Sequence, residues 1–102
     1  MMEGLRLLTV IAEIEVADRI AHDLRDCGAR GFAITEGRGE WVRAIAERDE
    51  TFDGAVARIE SVMPAEIAAR AMAHLAAKWF PHYAVFAWLT EAEVLRPGRY
   101  SQ

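Results

Sequence analysis

A single cysteine, Cys27, gives this chain no internal disulfide and no multi-cysteine metal site. Lysine is as scarce: Lys78 stands alone, and the rest of the twelve cations are arginines. Any grip on a phosphate or carboxylate therefore falls to planar guanidinium forks rather than to lysine point charges. Sixteen acids leave a formal charge of −4, which argues against a general nucleic-acid or anionic-membrane binder. No apolar run approaches the roughly eighteen residues that a membrane span needs. The opening MMEGLRLLTVIAEIEV has no basic segment before its apolar run and meets Glu13 and Glu15. That is not the pattern of a signal peptide, and the expectation is a soluble, cytoplasmic chain. The 102 residues suffice for one domain, 1–102, with little apolar area to spare and self-association as a route to stability.

Leu5 to Ala12 is an apolar run interrupted only by Arg6 and Thr9, the pattern of a central strand. Val16, Ile20, Leu24 and Cys27 recur at helical spacing, and Gly28 supplies the left-handed stop. GFAIT, from Gly31 to Thr35, reads as a second strand. Periodicity then fails from Glu36 to Val56, where three glycines and nine charges crowd together. This predicts a long functional or mobile loop, with room for a short helix over Val42 to Arg48. Ala57 to Met63 resumes as a strand. Pro64 opens a helix whose buried stripe is Ile67, Ala71, Leu75 and Trp79, widened by Ala68, Met72 and Ala76. Pro81 ends it. Tyr83 to Leu89 is the fourth strand, TEAEVL continues it or adds an edge strand, and RPGRYSQ is a polar tail. The order predicts an α+β, ferredoxin-like βαββαβ domain with a long loop between strands two and three. Its uncovered sheet face, expected to be apolar, calls for association with further copies.

The chemistry visible in the residues is sparse. His22, His74 and His82 share no metal-ligand spacing with one another, and a packed or solvated role fits them. Cys27 sits at a helix C-terminus, where a packed thiol is expected rather than a reactive one. Ser61 and Ser101 lack a base at a motif spacing. Glu91 and Glu93 fall on one strand face and read either as paired acids or as a solvated surface. Gly37-Arg38-Gly39 differs in kind, because glycines let backbone N–H groups approach an anion that Arg38 and Arg43 can neutralise. Arg96 and Arg99 form a second basic pair. An anion site and a merely polar loop are both consistent with this spacing.

Three segments in order, DCGARGFAITEGRG, ARIESVMPAEIA and WFPHYAVFAWLTEAEVLRPGRY, make the chain similar to the PII-like signal-transduction family. The likeness extends to its short branch, associated with carboxysomes, carbon fixation and bicarbonate transport. The resemblance implies a homotrimer with adenine-nucleotide sites in the clefts between subunits. It implies that 36–56 is the partner-engaging T-loop and 96–102 the C-terminal tail. Gly31, Phe32, Ala33 and Thr35 then line the base pocket, with Glu60 and Val62 on its other side. Gly37, Arg38 and Gly39, joined by Arg43, approach the phosphates from the loop base, and Arg96 and Arg99 from the tail.

Departures from the family refine these expectations. The glycine-rich connection that helps larger members hold a triphosphate is replaced by KWFPHYA. The loop has no tyrosine for uridylylation and lacks the lysine and glutamine of nitrogen-sensing members. This points to ADP or AMP rather than magnesium ATP, with bicarbonate as a candidate further ligand. The resemblance thus implies a non-enzymatic sensor, without cofactor or metal, that reports energy or inorganic-carbon status to a membrane transporter or carboxysome-related partner. The competing readings are a divalent-cation-binding trimer and a small nucleotide hydrolase using the loop acids Asp49, Glu50 and Asp53.

Overall fold

Alternation along the first strand sets the architecture. In the computed structural model, which describes residues 4–45 and 48–100 and only the backbone of 42–45, 48–50 and 52, β1 spans Leu5–Glu13. Its Leu8, Val10 and Ala12 are fully buried beneath the helices. The helix α1, Ile14–Cys27, buries Val16, Ala17, Ile20, Ala21 and Leu24 against them. Each large aliphatic side chain removed from water in this way contributes about 1.5–3 kcal/mol. Gly28 closes α1 with φ 122°: its N–H donates to the Arg25 carbonyl and that of Ala29 to the Leu24 carbonyl, both at 3.0 Å. This is the Schellman arrangement that the glycine predicted. Arg70 caps the same helix end by donating to the Cys27 carbonyl at 3.1 Å.

Two long strands follow, β2 over Ala33–Ile45 and β3 over Arg48–Pro64. After them come α2, Ala65–His74, a π-helical turn, Leu75–Trp79, and β4, Val85–Glu91. A short 3₁₀ turn covers Pro97–Arg99. The sheet is antiparallel in the order β2-β3-β1-β4, the ferredoxin-like arrangement, with both helices on one face. Among the described residues, no helix is long and apolar enough to cross a membrane.

The segment expected to be an irregular loop is instead a β-hairpin arm. β2 and β3 stay in register from Ala33↔Glu60 to Ile45↔Arg48, which also replaces the short helix expected over Val42 to Arg48. Backbone pairing runs the length of this ribbon, and glycines at 37, 39 and 54 interrupt the side-chain pattern, so the sequence shows no sustained alternation there.

Three smaller expectations are corrected. Ala76 is exposed, because the chain there winds as a π turn instead of continuing the α-helical stripe. β4 begins at Val85, and Tyr83 instead packs its ring against Trp79 at 5.4 Å between centroids. Glu93 lies beyond the end of β4, so it shares no strand face with Glu91.

The sheet face away from the helices is mixed rather than uniformly apolar. By alternation and register it carries Leu7, Thr9 and Ile11 beside Arg58, Glu60 and Val62, with Phe86 and Trp88 on β4. Phe86 and Trp88 remain 43% and 42% exposed.

Candidate functional site

The end of α1 turns into β2 through Gly31 and Phe32, and Ser61 on β3 fastens this turn by donating its hydroxyl to the Gly31 carbonyl at 2.6 Å. Phe32 packs against the core with the Arg25 guanidinium 5.3 Å from its ring centroid. An open groove of about 400 Å³ results, lined by Leu7, Gly31, Phe32, Glu60, Ser61, Val62 and Tyr100. Its walls are largely apolar. The polar groups on these residues include the Glu60 carboxylate, the Gly31 carbonyl and the hydroxyls of Ser61 and Tyr100, all able to accept a hydrogen bond. Glu60 also faces Arg58, at 3.4 Å.

A second open groove, of about 510 Å³, is lined by Leu95, Arg96, Arg99 and Tyr100. The 3₁₀ turn builds it: Arg99 N–H donates to the Arg96 carbonyl at 3.0 Å and Tyr100 N–H to the Pro97 carbonyl at 3.1 Å. Two guanidinium groups in one groove suit a phosphate or carboxylate. Tyr100 lines both grooves.

Four of the residues expected at a base pocket, Gly31, Phe32, Glu60 and Val62, thus meet in one groove, and both tail arginines meet in the adjoining one. Ala33 and Thr35 lie on β2 opposite Glu60 and Arg58, exposed and outside the groove linings. Gly37, Arg38 and Gly39 sit further out on the arm, in neither groove. Arg38 is exposed and pairs with Asp53 at 3.7 Å, a contact worth little in water. Gly39 has a structural task there: a Cβ on it would come within 2.7 Å of the Trp41 ring. The Arg43 side chain lies outside the described residues, as do those of Asp49 and Glu50, so of the three loop acids only Asp53 is placed. Residue reasoning missed Leu7, Ser61, Leu95 and Tyr100. Tyr100 carried a usable signal, a lone aromatic two residues past Gly98 in an otherwise polar tail.

A separate polar cluster joins the helices. One oxygen of Asp23, Oδ2, lies 2.8 Å from His74 Nε2, 2.8 Å from Trp79 Nε1 and 3.1 Å from Lys78 Nζ. Burial opposes the ionised form of Asp23, yet the donors from His74, Trp79 and Lys78 together outweigh it and hold the carboxyl below the ordinary carboxylate range. The Cys27 thiol is pushed up, first by burial and then by the nearby Asp23 charge, as a packed thiol should be. Among the described residues, no three or more His, Cys, Asp or Glu side chains gather to hold a metal.

The chain is similar to a PII-like signalling protein of Thermus thermophilus, with 35% identity, a TM-score of 0.79 and 94% of each chain covered. CPII of Thiomonas intermedia, solved with ADP, AMP and acetate, superposes with a TM-score of 0.80 at 19% identity over 96% of this chain and 95% of that one. The same protein with ADP, AMP and bicarbonate gives 0.75 at 18% identity, over 91% and 94%. At such identities the CPII likeness is one of fold. No curated protein matches the sequence. The family model described as nitrogen regulatory protein P-II matches residues 5–99. With nearly the whole chain inside that match, and the strand order and helix placement in agreement, this protein belongs to the P-II family.

Proposed function

We propose that this chain is a cytoplasmic, non-enzymatic sensor of the short, inorganic-carbon-linked PII-like branch. It binds adenine nucleotides, ADP or AMP in preference to ATP, as a homotrimer. The observation that carries this reading is the adjacency of the two grooves: an apolar one with hydrogen-bond acceptors beside one holding Arg96 and Arg99. An adenine ring with its exocyclic amine suits the first, and the phosphates suit the second. In the trimer, the arm of a neighbouring subunit brings Arg38, Gly39 and Arg43 toward the phosphates, and bicarbonate binds beside them. Nucleotide and bicarbonate then set the position of the arm, through which a transporter or carboxysome-related partner reads the state. The crystal ligands of CPII, which include ADP, AMP and bicarbonate, support this by analogy.

Calorimetric titration with AMP, ADP, ATP and cyclic AMP, each with and without bicarbonate, tests it. The expected result is saturable binding of ADP or AMP, tighter than that of ATP, with bicarbonate changing the affinity. Absence of binding by every adenine nucleotide would overturn it.

A further inference from the structure

We infer that Tyr100 is a nucleotide-binding residue whose ring stacks on the base of the bound nucleotide. The inference rests on the nucleotide reading above and adds to it a residue that neither the spacing of motifs nor the family likeness supplied. Tyr100 is the one residue common to the linings of the two grooves. A ligand with a flat ring in the groove of Phe32 and Val62, and an anionic group beside Arg96 and Arg99, must pass over it.

The two aromatic side chains of the first groove are held differently. Phe32 is packed against the core and covered by the Arg25 guanidinium, so its ring forms a fixed wall. Tyr100 is half-buried and belongs to the tail, tied to Pro97 by its N–H. The same turn links Arg99 to Arg96. Ring and guanidinium groups are therefore carried on one short unit, and seating the phosphates on the arginines brings the ring to the base. A tyrosine suits this post because it offers a flat apolar face for stacking and a polar tip that stays in water. Stacking accepts any base, so Tyr100 favours a planar ring over none, while the acceptors of Glu60 and Gly31 choose a base that bears donor groups.

The test uses the full chain and ADP, with Tyr100→Ala, Tyr100→Leu and Tyr100→Phe compared by calorimetry, and thermal melting confirming that each is folded. Tyr100→Ala and Tyr100→Leu are expected to weaken ADP binding by about 5- to 150-fold, the range for loss of one base–aromatic stack. Tyr100→Phe should bind as the parent does. Parent-like binding by Tyr100→Ala, while the parent binds ADP, would overturn this inference alone. A Tyr100→Phe variant as weak as Tyr100→Ala would assign the effect to the hydroxyl and overturn stacking. A parent chain that binds no adenine nucleotide would overturn both this and the reading beneath it.

Discussion

The rings of Trp41 and Phe86 meet edge to face, 4.7 Å between centroids at 74°, although β2 and β4 are opposite edges of the sheet. The contact requires the arm to curl over the face that the helices leave open. Gly39 makes this curl feasible by presenting no Cβ to the Trp41 ring.

Removing either ring should release the arm. An edge-to-face pair contributes about 0.5–1.5 kcal/mol beyond its buried area. Amides of Gly37–Trp41 should exchange roughly 2- to 10-fold faster in Trp41→Ala, and as fast in Phe86→Ala. Mass-spectrometric hydrogen exchange reads this directly. Unchanged exchange in both variants would show that the rings do not restrain the arm.

Gly28→Ala should destabilise the domain. The position has φ 122°, and an added Cβ would lie 2.9 Å from Ile67 Cδ1. The left-handed conformation alone costs about 1–2 kcal/mol for a residue with a side chain, and each kcal/mol lowers the melting temperature by about 4–8 °C in a domain of this size. Gly31→Ala, with open space around the site and no positive φ, should melt within a few degrees of the parent.

Stability should fall as acid protonates Asp23. Its folded pKa is depressed, so its stabilisation is complete above the unfolded value of about 3.9 and is lost as pH falls through the lower folded value. Asp23→Ala removes the shared acceptor of His74, Trp79 and Lys78, with an expected loss of about 1.5–3 kcal/mol at neutral pH. Urea denaturation at pH 7 and pH 3 should show a smaller difference between the two pH values in the variant. An unaltered acid dependence would remove Asp23 from the explanation.

Phe86 and Trp88, both more than two-fifths exposed in the single chain, should be covered in solution by further copies. Light scattering at micromolar concentration is expected to give the mass of a trimer. A monodisperse monomer would leave these rings unexplained.

Arg96→Ala should weaken ADP binding by roughly 10- to 150-fold, the equivalent of one charge-assisted hydrogen bond, and leave the oligomer intact. Adenosine, which has no phosphate, should be indifferent to the change. Unaltered ADP affinity would place the tail outside the site.

Much of the fold could be read from residues whose burial enforces a period. The apolar run Leu5 to Ala12 marks β1, whose Leu8, Val10 and Ala12 are buried, and Val16, Ile20 and Leu24 mark α1 because each faces the core at helical spacing. The arm is not legible because a two-stranded ribbon beyond the helix-covered part of the sheet need not alternate. Gly37, Gly39 and Gly54 are poor strand formers that the continuous ladder between β2 and β3 nevertheless holds extended. Within the site, Gly31 and Glu60 were found through likeness to a family, whereas Tyr100 belongs to a tail too short to show a pattern. Asp23 and His74 stand 51 residues apart, and only the packing of α1 on α2 brings them together.

The arm is also where the pairing register is least enforced by side chains. Gly37 pairs with Val56 and Gly39 with Gly54, so few cross-strand side chains oppose sliding of one strand along the other. A slip of one residue in β2 would send Trp41 to the reverse side, break its contact with Phe86, and turn Arg38 onto the side now occupied by Gly37 and Gly39. The register of the ribbon thus decides which of its sides lies over the sheet, and the contact of Trp41 with Phe86 belongs to the register observed.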